Sequence, residues 1–199
     1  MIIFNKKLAR FISLLSLVAV SICGCCFMGN RDSADLFEDL PEKYEPPEWT
    51  MAEIWEIEDQ TDFRIALNGY ILDKCQYGDD IDKLSAPERV IFVVFLLEGE
   101  VNNGGFSQFF FNSSGDYSNE LVNAFTEICA VKTAEICKRA VSIYGESVPI
   151  DRAERDQFLL DHEEVSEILD ECDTAFYQYE DDLDALIYDY ALRNKESFT

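Results

Sequence analysis

Eight consecutive apolar residues, Val90-Ile-Phe-Val-Val-Phe-Leu-Leu97, constrain this chain more than any other feature. Such a run has no face to give to water, so the element it forms must be surrounded by the rest of the fold. At this length periodicity does not separate a buried strand from a buried helix. The residues before it do. Ser85-Ala-Pro87-Glu88 has the layout of a capping box with proline in the first turn, where its missing N–H is tolerated. The reading is a central helix, apolar all round.

The flanking segments supply helices to surround it. Thr50-Met-Ala-Glu53 is a second capping box, followed by Ile54, Trp55 and Ile57. Asp62 to Cys75 carries Phe63, Ala66, Leu67, Tyr70 and Ile71 at helical spacing. Asp116 is placed to cap a helix that holds Leu121, Val122, Ala124, Phe125 and Ile128. Val131 to Tyr144 is helical and is stopped by Gly145, with Pro149 beyond. Asp151-Arg-Ala-Glu154 opens another helix. Val165, Ile168, Leu169, Cys172 and Phe176 form one apolar stripe, and Leu183, Leu186, Ile187 and Tyr190 form the last. No segment alternates as a strand would. The expected fold is all-α, a single compact multi-helix domain over residues 49–199.

What precedes that domain reads differently. Lys6, Lys7 and Arg10 form a basic start, and Phe11 to Ile22 is apolar with three serines. This is the layout of a secretory signal. Ile22-Cys23-Gly24-Cys25 ends it like a bacterial lipobox, which marks Cys25 for lipidation and cleavage after residue 24. An uncleaved anchor over Phe11 to Gly29 is the alternative, since a span needs about 20 residues. Either way the domain is expected outside the cytoplasm, membrane-anchored. Residues 25–48 read as an acidic, proline-containing tether. Within it, Leu36 to Leu40 has the composition of a single helical turn.

The central run leads into Glu98-Gly-Glu-Val-Asn-Asn-Gly-Gly-Phe-Ser-Gln-Phe-Phe-Phe-Asn-Ser-Ser-Gly-Asp116. Two readings compete for it. In the first it is a structural corner. Gly104 and Gly105 permit positive φ and close approach, amides at Asn102, Asn103, Gln108 and Asn112 satisfy freed backbone groups, and phenylalanines from Phe106 onward fill the core. In the second, Glu98, Glu100 and Asp116 supply paired carboxylates and Asn102 and Asn103 orient a substrate, giving a hydrolase-like or small-ligand site. No nucleophile with its base, no phosphate loop and no zinc pattern supports the second, so the corner is preferred and no cofactor is expected. Cys75, Cys129, Cys137 and Cys172 read as buried thiols. A disulfide between Cys129 and Cys137 on one continuous helix is excluded by their separation of about 12 Å. With His162 as the one histidine, no metal site is assigned.

The stretch Leu97 to Tyr117 closely resembles the signature of the bacterial DNA-mimic protein family. Thr133 to Pro149 is similar to that family's following helix, and Ile168 to Tyr177 to its C-terminal motif. The resemblance covers roughly residues 51–190. It implies an all-helical fold, often dimeric, without enzymatic activity, whose acidic side chains stand where DNA phosphates would lie on a transcription factor. It implies no contact residues.

Charge agrees with such a role. The formal charge is −24, and −27 once residues 1–24, with three bases and no acid, are removed. The chain is 48% hydrophobic, so the acidity is not that of a disordered tail. Nucleic acid is a poor direct partner for this surface, and a basic protein surface is a good one. Asp156 to Leu192 holds thirteen acids and no Lys or Arg. The expected binding ridge is Asp161, Glu163, Glu164, Glu167, Asp170, Glu171, Asp173, Glu180, Asp181, Asp182 and Asp184. At about 1.5 Å per helical residue the thirteen acids of Asp156 to Leu192 average a charge per ~4 Å, against ~3.4 Å on a DNA strand. An extracytoplasmic position excludes a cytoplasmic regulator as partner. It leaves a basic protein outside the cell membrane, such as a nuclease-type toxin held in check by an inhibitor or immunity protein.

Overall fold

The computed structural model describes residues 49–199, of which Thr50–Thr199 form one compact unit. The signal segment, Cys25, the tether and the turn at Leu36 to Leu40 lie outside the described residues. All regular structure in the described residues is helical. Eight α-helices follow in order: α1 Met51–Ile54, α2 Gln60–Lys74, α3 Ala86–Phe111, α4 Leu121–Glu127, α5 Val131–Val141, α6 Arg152–Asp161, α7 Val165–Phe176 and α8 Leu183–Arg193.

The starts of these helices are written locally. Ser85 accepts from the Glu88 N–H, and the Glu88 carboxylate accepts from the Ser85 N–H at 2.8 Å. Thr50 and Glu53 repeat the arrangement at α1. The α2 helix begins earlier than its apolar spacing suggests, because Asp59 accepts from the Asp62 N–H at 3.0 Å. Asp116 does not cap α4. It lies within a 3-10 segment, Ser113–Glu120, and α4 starts at Leu121 with no side-chain cap. The helix from Val131 ends at Val141, and a 3-10 turn then leads to Gly145 at φ 86°.

The central position of α3 follows from its composition. Ile91 through Phe95 and Leu97 are buried. The α3 helix packs against α2, α4, α6, α7 and the 113–120 segment, while α5 packs on α4 and α7, and α8 on α2. Burying each of these large side chains contributes about 1.5–3 kcal/mol. Of the phenylalanines after the glycines, Phe106, Phe109 and Phe110 are fully buried. Phe111 is not: it is 49% exposed, and the Arg152 guanidinium lies 4.4 Å from its ring centre. Helical periodicity turns one of three consecutive phenylalanines outward. Cys75, Cys137 and Cys172 are buried free thiols, but Cys129 is exposed. It sits at φ 68° in the turn between α4 and α5, so it shares no continuous helix with Cys137.

Candidate functional site

The corner is a break inside α3. Gly104 stays extended at φ −164°, but Gly105 adopts φ 77° and ψ −179°, a conformation open only to glycine. The helix restarts at Phe106 with its first N–H groups free. Asp173, projecting from α7, accepts from the Phe106 N–H at 2.7 Å. A Cβ at Gly105 would stand 2.2 Å from the Asp173 Oδ2. The glycine therefore serves two needs, positive φ and room for the carboxylate. Burial raises the Asp173 pKa, while the Phe106 N–H opposes the shift and Asp170 adds to it.

The other end of the corner is organised by Arg155 of α6, which is fully buried. Its Nε donates to the Phe110 carbonyl at 2.8 Å, its Nη1 to Pro149 and Ile150 at 3.0 and 2.6 Å, and its Nη2 to Asn112 at 3.0 Å. Nη2 also pairs with Asp116 at 2.9 Å. A guanidinium has five N–H donors, and each finds an oxygen here. The carbonyls of Phe110 and Asn112, left over where α3 ends, are thus satisfied by a side chain from far along the sequence. A Cβ at Gly115 would meet the Arg155 Nε at 2.7 Å. Sequence reasoning missed Arg155. Its signal is its position: it precedes Phe158 and Leu159 by three and four residues, on the inward side of α6.

The corner reading expected the amides to serve the freed backbone, and they do not. They bind side chains. Gln108 and Asn112 donate to the Glu100 carboxylate at 2.7 and 2.9 Å, and Ser114 donates to its other oxygen at 3.0 Å. Asn102 donates to the Tyr179 hydroxyl at 2.6 Å. Asn103 is exposed. The backbone needs are met instead by charged groups, which make stronger hydrogen bonds than neutral amides.

Nor are Glu98, Glu100 and Asp116 gathered at one point. Glu98 is buried, pairs with Arg64 at 2.6 Å and accepts from the Tyr179 hydroxyl at 3.2 Å. Burial raises its pKa, against the pull of Arg64 and the Tyr179 hydroxyl; Asp184 raises it further. Glu100 belongs to its amides and Asp116 to Arg155. The carboxylates proposed for acid–base work thus have three different sets of partners. Among the described residues, no group of His, Cys, Asp and Glu is placed to hold a metal ion.

The acids of the C-terminal third divide into two sets. One set is engaged internally. Asp173 holds the corner, and Asp181 accepts from Thr133 at the start of α5, 2.8 Å from its N–H. Asp182 caps α8 through the Ala185 N–H at 3.1 Å, and Asp184 pairs with Arg64 at 2.6 Å. Glu171 pairs with Arg139, and Asp161 accepts from Gln157 at 2.9 Å. The other set is Glu163, Glu164, Glu167, Asp170 and Glu180, all exposed, with no carboxylate bonded to another described residue. Glu164 stands at the N-cap of α7 and Glu167 and Asp170 follow along it, opposite the buried Val165, Leu169, Cys172 and Phe176, while Glu163 lies in the turn just before the helix. Like charges at this spacing cost the free helix about 0.2–0.5 kcal/mol per pair. The proposed ridge is drawn from α6, α7 and α8, and these helices pack on different partners. The stripe on α7 is the part that shares one helix face.

A family model described as DMP19-like protein matches residues 82–194, from just before α3 to the end of α8. No curated protein and no solved structure matches the chain.

Proposed function

Since the chain belongs to the DMP19-like protein family, we propose that it is a DNA-mimic-type binding protein, without enzymatic activity, that presents carboxylates to the basic surface of a DNA-binding protein. The observation that carries this reading is the α7 stripe. Glu163 and Glu164 at the entry to α7, and Glu167 and Asp170 along it, all face solvent in a segment without Lys or Arg. Their mutual repulsion is relieved only when cations approach. A partner's Lys and Arg side chains supply them, which steers encounter and fixes orientation. The chain would act as an inhibitor or immunity protein, held at a membrane surface outside the cytoplasm by lipid on Cys25, and would pair as a homodimer as the family resemblance implies.

The test is displacement. DNA-binding proteins enriched on heparin and loaded with labelled duplex DNA are titrated with the full chain. The expected result is release of DNA by the wild type, weakening roughly ten-fold or more between about 50 and 200 mM salt. The combined variant Glu163→Gln, Glu164→Gln, Glu167→Gln, Asp170→Asn should release little. Equal release by that variant, or release indifferent to salt, overturns the proposal.

A further inference from the structure

The connector between α7 and α8, at the C-terminal end of the helix that carries the acidic stripe, displays two aromatic rings. Tyr177 is 48% exposed and Tyr179 is 43% exposed. Their free ends are tied down. The Tyr177 hydroxyl donates to the Val101 carbonyl at 2.8 Å. The Tyr179 hydroxyl donates to Glu98 and accepts from Asn102. Glu98, Val101 and Asn102 lie on one face of one turn of α3, so both rings are anchored at the same place. The edge contact of Phe176 with Tyr179, 5.5 Å between ring centres, steadies that ring from within. These rings are therefore exposed and already ordered, which is unlike the bare exposure of Ile150 or Leu160. Ordered tyrosines contribute contact area at low entropic cost and are favoured at binding hot spots. Glu180, exposed and next in the chain to Tyr179, places a carboxylate beside the rings that calls for a cation.

We infer that Tyr177 and Tyr179 form an anchoring platform for an arginine side chain of the cationic protein partner. The inference rests on the acidic-binding reading above and names the group that the partner presents. A guanidinium is planar and weakly hydrated, so it stacks on an aromatic face while its N–H groups reach adjacent carboxylates. An ammonium meets the carboxylates as a compact, strongly hydrated charge and gains less from the ring. The platform therefore selects arginine over lysine at equal charge.

Fluorescent nona-arginine and nona-lysine peptides, titrated into the full chain and followed by anisotropy, test this. The wild type should bind nona-arginine roughly two- to five-fold tighter than nona-lysine, the size of an exposed cation–π contact. Tyr177→Leu and Tyr179→Leu should abolish that ratio and leave nona-lysine affinity unchanged. Tyr177→Phe keeps the ring and should keep the ratio. In the unmutated chain the ring-proton resonances of Tyr177 and Tyr179 should shift on adding nona-arginine, a reading independent of how any variant folds. Equal affinity for the two peptides, a ratio that survives both Leu variants, or unmoved ring resonances overturn the platform and leave the acidic-binding proposal standing. Failure of both peptides to bind at low salt overturns the acidic-binding proposal, and the platform with it.

Discussion

At the scale of single residues, the charges that matter most to the fold are the hidden ones. Arg155 gathers carbonyls from Phe110, Asn112, Pro149 and Ile150, whereas its carboxylate partner Asp116 is half in water. The two sides of this pair should respond unequally. Arg155→Met leaves several buried carbonyls without donors and should cost about 3–5 kcal/mol in urea denaturation. Asp116→Ala leaves those carbonyls satisfied and should cost about 1 kcal/mol or less. Equal losses from the two would show that the ion pair, not the carbonyl set, holds the corner. Glu98 offers a second test, in pH. Its folded pKa is raised, chiefly by burial, above the ordinary value of 4.5. The folded state then binds the proton more readily than the unfolded state, so the contribution of Glu98 is fully present below 4.5 and declines as pH rises through the folded pKa. Glu98→Gln removes this dependence. The stability of wild type minus variant should fall over that window in a series of denaturation curves. A difference that rises with pH instead would mean that Arg64 outweighs burial.

At the scale of elements, the break in α3 is a joint made from two distant helices. Gly104 and Gly105 are adjacent in sequence but do different things. A Cβ at Gly104 meets the flexible Gln108 side chain, in a backbone conformation open to any residue. A Cβ at Gly105 meets the Asp173 carboxylate at φ 77°. Gly105→Ala should therefore destabilise by about 2–4 kcal/mol, and Gly104→Ala by about 1 kcal/mol or less. Thermal melts of the two variants decide it; a milder Gly105→Ala would mean that the joint relaxes without loss. Much at this scale is legible in the chain. The boxes at Thr50 and Ser85 place their helix starts because their partners are three residues away. The apolar run Val90 to Leu97 is central because nothing else is open to it. The break at Asn102 to Gly105 is visible too. Its partners are not, since Asp173 and Arg155 come from α7 and α6, and sequence distance carries no information about that approach.

At the scale of the whole molecule, the acidity has two roles that composition alone does not separate. A surface this negative opposes non-specific self-association of the domain and repels nucleic acid. Six of the eleven ridge acids also bond within the domain, and five are left for a partner. Location is the other property of the whole chain, and it decides which partners exist. With a lipid on Cys25, full-length protein expressed with a clickable fatty acid should carry label in the membrane fraction, and Cys25→Ser should carry none. An unlabelled, soluble wild type would return the search to cytoplasmic regulators.

By itself the sequence determined the all-helical class, the central helix, the capped starts and the sign of the surface. These depend on side-chain spacing within a few residues and on charge, both of which are local or additive. Only the tertiary structure decided which acids are engaged and which are free. Glu163 and Asp173 are the same kind of group ten residues apart, yet one faces water and the other lies against a glycine of α3. That difference arises when helices distant in sequence come within hydrogen-bonding distance, a matter of packing that no run of neighbours in the chain can encode.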